Sequence, residues 1–85
     1  MSINFDEIIP RTGTNCTKFD KRLAVFGNSH VIPLWVADMD FAAPREVTEA
    51  LINRATHPIY GYTFAPDSAY EALIIWVKQR FNWSI

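Results

Sequence analysis

The sequence predicts a mostly α-helical segment with an extended N-terminal arm, one short edge strand and irregular loops. Apolar residues recur at helical intervals in three stretches, namely Phe19, Leu23 and Phe26, then Val47, Ala50, Leu51 and Ala55, then Tyr70, Leu73, Ile74, Val77 and Phe81. β-Rich composition is confined to residues 31–36. The five prolines are spread along the chain and stop each element before it grows long.

In chain order, Phe5, Ile8 and Ile9 have helix-like spacing after Asn4, but Pro10 ends any such run, so an arm with one helical turn is expected. Residues 12–15 (Thr-Gly-Thr-Asn) are turn chemistry. A short helix is predicted over 19–26, with Gly27 as its left-handed stop and with Lys18, Lys21 and Arg22 on a solvated face. Residues 31–36 are suited to an edge strand or an extended connector, because Pro33 lacks the amide a central strand needs. Pro44 at the first helical position, Glu46 in the first turn and an Arg45–Glu49 pair open a second helix. His57-Pro58 ends it, since the residue before proline is pushed out of the α region. Residues 59–66 read as an irregular loop between two prolines. Ser68 with Glu71 forms a predicted capping box for a third helix running to about Phe81. Trp76 flanks its apolar stripe and Ile75 falls on the polar side, so both suit cover by further protein.

Composition narrows the function classes. Of the 85 residues, 49% are hydrophobic and 14% aromatic, which excludes a disordered tail. A net charge of -1 offers no basic footprint for nucleic acid and no polybasic membrane anchor. No apolar run nears the roughly 18–20 residues that span a bilayer, and the N-terminus lacks a signal-peptide pattern, so a cytoplasmic protein is expected. The single cysteine, Cys16, has no catalytic signature around it and is read as an ordinary thiol.

Taken by themselves, few residues promise chemistry. Asp38 and Asp40 would project to one side of an extended chain, as an acid–base or metal pair would require, but a hard cation needs more oxygen ligands than this stretch supplies. Turn-capping or helix-capping is the favoured role. His30 and His57 lack metal-site spacing and are read as loop or surface residues. No metal site is expected. Gly61-Tyr62-Thr63 is too short to cradle a phosphate unaided, and of Tyr60 and Tyr62 one is expected to pack inward while the other presents its hydroxyl outward.

Certain motifs carry more than this. Leu34-Trp35-Val36-Ala37-Asp38-Met39-Asp40-Phe41 is followed about twenty residues later by Ile59-Tyr60-Gly61-Tyr62-Thr63, and is preceded by Phe5-Asp6, Arg11, Thr14 and Lys18-Phe19-Asp20. In this order and at this spacing they resemble the start of the pyridoxal-phosphate-dependent C–S lyases of the cystathionine β-lyase type, in the fold-type-I aminotransferase superfamily. The resemblance implies an α/β fold for the complete enzyme, with residues 1–85 as its N-terminal arm and first helices. They would be incomplete as a domain and inactive alone.

The resemblance also implies roles. Tyr62 would donate its hydroxyl to the cofactor phosphate of a neighbouring subunit in a homodimer. Ala37 and Asp38 would border the substrate pocket, where the backbone receives the substrate carboxylate. Phe19 stands where many relatives have tryptophan and keeps the apolar anchor. The cofactor would be pyridoxal 5'-phosphate and the substrate a sulfur amino acid, cleaved by α,β-elimination to thiol, pyruvate and ammonia. No catalytic residue is expected within these 85, because Lys18, Lys21 and Lys78 match no cofactor-binding lysine motif. Two other readings stand beside this one: a class I/II aminotransferase segment, and a non-catalytic module that binds a protein partner through its apolar helix face.

Overall fold

Four α-helices connected by turns and irregular chain make up the computed structural model, which describes residues 2–85. The chain divides into two compact units, one ending at Leu51 and the other Ile52–Ile85.

In the first unit the arm is extended apart from a turn at Phe5-Asp6, where the Asp6 amide donates to Asn4 Oδ1 at 3.1 Å. The expected helical turn is therefore only a side-chain-braced bend, since Pro10 leaves too few residues to close i→i+4 bonds. The turn at residues 12–15 is tied to the first helical residues after it. Asp20 accepts from the Gly13 amide at 2.8 Å and from the Cys16 amide at 3.2 Å, while the Thr14 hydroxyl donates to the Arg11 carbonyl at 2.6 Å. Positive φ at Gly13 (81°) and Asn15 (62°) suits residue types that tolerate the left-handed region.

The single helix predicted over 19–26 is two shorter ones, α1 (Thr17–Asp20) and α2 (Arg22–Phe26), separated at Lys21 with φ -97° and ψ 3°. It begins earlier than the apolar pattern indicates, because Cys16 and Thr17 already accept amides from Asp20 and Lys21. Gly27 ends α2 in the left-handed conformation, φ 70°, as the sequence predicts.

No strand is present among the described residues, so the expected edge strand at 31–36 is corrected to irregular chain. Side chains of the helical pair hold this segment where a neighbouring strand would have been needed. Arg22 Nη1 donates to the Val31 carbonyl at 3.0 Å, and Trp35 Nε1 donates to the Lys18 carbonyl at 3.0 Å. The Trp35 ring also meets Phe26 edge-on at 5.3 Å. A bond such as that of the Trp35 indole contributes about 0.5–1.5 kcal/mol, so Trp35→Phe would loosen the segment while keeping most of its apolar contact.

Helix α3 (Arg45–Thr56) begins one residue after the expected start, with Pro44 just outside it and the Pro44 carbonyl accepting the amides of Val47 and Thr48, and it stops before His57-Pro58. Arg45 Nε reaches Glu49 Oε1 at 2.5 Å, the expected i,i+4 pair. Helix α4 (Asp67–Phe81) carries the predicted stripe, but Ser68 lies inside it. Pro66 takes the cap position with no side-chain cap bond, which corrects the expected capping box. Of that stripe only Val77 is buried. Trp76 and Phe81 meet edge-on at 5.4 Å while both remain largely exposed, as do Ile75 and Trp83.

Candidate functional site

The first unit holds a charge cluster built from its arm, α1 and the stretch after Trp35. Arg11 spreads its guanidinium across two carboxylates, with Nη2 at 2.5 Å from Asp38 Oδ2 and Nη1 at 2.6 Å from Asp40 Oδ1. Lys18 approaches the same pair from α1. Its Nζ lies 3.1 Å from Asp40 Oδ2 and 3.8 Å from Asp38 Oδ1, and it donates to the Asp38 backbone carbonyl at 3.0 Å. Lys18 is thus one of the few buried residues, with 7% exposure, and the solvated face expected for it is corrected. Burying an ammonium demands countercharge, and two aspartates supply it. Arg22, likewise expected on that face, spends its donors on the carbonyls of Phe19 and Val31.

Capping is therefore not what Asp38 and Asp40 do. Both carboxyls are held below the usual carboxylate range, Asp38 chiefly by the hydrogen bond from Arg11 and Asp40 by those from Arg11 and Lys18. The same bonds raise the Arg11 guanidinium further above its ordinary value. Arg11 is additionally held in register by the turn that Asp20 braces. The Asp20 carboxyl is itself lowered, first by its bond from the Gly13 amide. Arg11 Nη2 also donates to Cys16 Sγ at 2.9 Å, and the Arg11 and Arg22 guanidinium carbons lie 5.4 and 5.2 Å from the Phe19 ring centroid. Phe19 serves as a cation–π platform, a role that an aromatic ring meets without an indole N–H.

Beside the cluster lies a cleft of about 470 Å³ lined by residues 5–12 of the arm, Phe19, Asp40 and Phe41. Phe5 and Phe41 close one side edge to face, 5.1 Å between centroids. Ala37 and Asp38 are exposed, and among the described residues their backbone amides have no hydrogen-bond acceptor.

The second unit presents the tyrosine pair. Tyr60 donates its hydroxyl to the Ala55 carbonyl at 3.0 Å, and Arg54 donates to the carbonyls of Ile59 and Tyr60 at 3.3 and 3.1 Å. Tyr62 is fully exposed. Between them Gly61 has φ 41°, a conformation that favours glycine. His57 Nδ1 lies 3.0 Å from the Ile59 carbonyl, a local loop contact. Among the described residues, no group of three or more His, Cys, Asp or Glu side chains gathers as metal ligands, and no helix is long and apolar enough to cross a membrane.

No protein-family model matches the chain. Individual proteins do. Cystathionine beta-lyase PatB of Bacillus subtilis is 42% identical over 83 residues, covering 98% of this chain and 21% of that protein. Protein MalY of Escherichia coli is 34% identical over 83 residues, again 21% of its length. The fold agrees with that of a pyridoxal-phosphate-bound C–S lyase from Staphylococcus hominis, with a TM-score of 0.83 and 36% identity over the whole chain and 22% of that structure. The chain is thus similar, along nearly its whole length, to a segment of fold-type-I, pyridoxal-phosphate-dependent C–S lyases.

The chain spans about a fifth of the length of the relatives it matches (21% in each). It also superposes with TM-score 0.90, at 39% identity, on a pyridoxal-phosphate-bound protein of Clostridium difficile 630 described as an aminotransferase. The superfamily, its cofactor and the mostly helical character of the segment are legible in the sequence. The partnership of Arg11 and Lys18 with Asp38 and Asp40 is not.

Proposed function

We propose that the protein containing this segment is a cytoplasmic homodimeric cystathionine β-lyase-type enzyme, cleaving a sulfur amino acid by α,β-elimination into a thiol, pyruvate and ammonia. In it these 85 residues serve as the arm and first helices of a larger catalytic body. The observation that carries this reading is the 42% identity to a cystathionine beta-lyase along 98% of the chain. When bound, pyridoxal phosphate supplies an electron sink for the carbanion formed at the substrate Cα.

The residues of this chain fit a supporting role toward that cofactor. Tyr62 has a phenol in open solvent, able to donate to a phosphate oxygen of a neighbouring subunit. Ala37 and Asp38 are exposed, and among the described residues their amides have no acceptor, which leaves them available to the carboxylate of an amino-acid substrate. Lys18, committed to the two aspartates, is not free to hold the cofactor.

Transamination is the second reading, favoured by the structural likeness to the protein described as an aminotransferase. The test is to purify the full-length protein with cofactor and supply cystathionine. Pyruvate with free thiol supports elimination. A keto acid retaining the substrate's carbon skeleton, formed only with an added amino acceptor, supports transamination and overturns the lyase assignment.

A further inference from the structure

Arg11 and Lys18 face Asp38 and Asp40 as two cations against two carboxylates, so the quartet as a whole is neutral. The cations do more than pair. Lys18 Nζ also donates to the Asp38 carbonyl at 3.0 Å, and Arg11 Nη1 reaches the Met39 carbonyl at 3.5 Å. The carbonyl side of this stretch is thereby fixed, while the amides of Ala37 and Asp38 face no acceptor among the described residues. On the reading proposed above, a substrate carboxylate would reach these amides beside two aspartate side chains that are 44% and 50% exposed. Without countercharge, those aspartates would repel any carboxylate approaching the amides.

We propose that Arg11 and Lys18 are positioning residues for the substrate carboxylate. They cancel the charge of Asp38 and Asp40 and fix the backbone of residues 37–39, so that an amino-acid carboxylate can approach the Ala37 and Asp38 amides. The inference rests on the reading of those two residues as substrate-binding. It adds the reason why two carboxylates can stand at an anion site. A purely mechanical tether between the arm and residues 38–40 would use the same contacts but would respond differently to changes of charge.

The test uses the full-length holoenzyme and reads KM and kcat for cystathionine, together with the cofactor dissociation constant from titration of apoenzyme. Lys18→Met leaves one carboxylate uncompensated and is expected to raise KM about ten-fold, with kcat and cofactor affinity changed by less than about two-fold. Asp40→Asn leaves an excess of positive charge and is expected to keep KM at or below the parent value. The double variant Lys18→Met with Asp40→Asn restores neutrality, and its KM should return to within about three-fold of the parent. Raised salt should narrow these differences.

An unchanged KM in Lys18→Met, or an Asp40→Asn variant whose KM rises as much as that of Lys18→Met, overturns the proposal. Should Lys18→Met not fold, the sign of the Asp40→Asn effect decides by itself. A parent enzyme that eliminates no sulfur amino acid removes the functional reading and this inference together. An active parent with charge-insensitive KM removes the inference alone.

Discussion

The Tyr60 hydroxyl donates to the backbone carbonyl of Ala55 at 3.0 Å, closing the start of the 59–66 loop against the last turn of α3. Arg54 strengthens the closure through the carbonyls of Ile59 and Tyr60, its guanidinium carbon 5.5 Å from the Tyr60 ring centroid. Two residues on, Tyr62 is fully exposed. One tyrosine fastens the loop and the other is offered outward; residues two apart would share one side of an extended chain, and the positive φ of Gly61 between them (41°) breaks that pattern.

If Tyr62 donates to the cofactor phosphate as proposed, Tyr62→Phe in the full-length enzyme removes one donor to a charged acceptor and leaves the ring in place. Cofactor affinity is expected to fall about ten- to hundred-fold, measured by titrating apoenzyme with pyridoxal phosphate. Parent-like affinity in this variant would remove Tyr62 from the cofactor site.

Tyr60→Phe should behave otherwise. Losing the bond to the Ala55 carbonyl is expected to cost about 0.5–1.5 kcal/mol of stability, visible as a lower denaturation midpoint, with a smaller change in cofactor affinity than Tyr62→Phe shows. If Tyr60→Phe weakens cofactor binding more than Tyr62→Phe, the roles of the two tyrosines are exchanged.

Acid should loosen the first unit in a defined direction. Asp20, Asp38 and Asp40 all have carboxyls lowered in the folded chain, by the Gly13 amide, by Arg11, and by Arg11 with Lys18 respectively. A carboxyl lowered on folding contributes stability that is complete above its unfolded value of about 4 and is lost as pH falls through its folded value. The full-length protein should therefore lose denaturation midpoint steadily below about pH 4. Asp38→Asn with Asp40→Asn should flatten that slope, and an unflattened slope would show that the pair does not contribute to it.

The 85-residue polypeptide alone is expected neither to retain pyridoxal phosphate through dialysis nor to release pyruvate from cystathionine above a cofactor-only blank. With Ile75, Trp76, Trp83 and many other large apolar side chains exposed and a net charge of -1, it should also self-associate. A monodisperse monomer with a sharp two-state thermal transition, or stoichiometric cofactor absorbance after dialysis, would contradict these expectations.

Local signals are readable where local physics decides the outcome. Pro44 and His57-Pro58 bound α3, Arg45 meets Glu49 one turn on, and Gly27 stops α2 with φ 70°. Periodicity likewise identifies the stripe on α4, though it reports which residues share a face and not whether anything covers them. The failures share a different cause. The strand expected at 31–36 depends on a distant partner that local composition does not reveal. The break at Lys21 interrupts a short apolar pattern that Phe19, Leu23 and Phe26 satisfy equally well with or without it. Lys18 reads as solvated because Asp38 and Asp40, its countercharges, lie 20 and 22 residues away. Sequence proximity says nothing about such pairings.

The ion cluster gives the first unit a different folding problem from the second. Its bonds from Arg11 and Lys18 to residues 38–40 close loops of 20 to 29 residues, whereas every side-chain hydrogen bond within Ile52–Ile85 joins residues no more than six apart. Chain entropy must be surrendered before Arg11 meets Asp40, while α4 and the Arg54–Tyr60 brace need only their immediate neighbours. As the polypeptide leaves the ribosome, the order of synthesis and the order of structure formation need not coincide. The arm is made first, yet it reaches its native setting only after Asp40 has emerged.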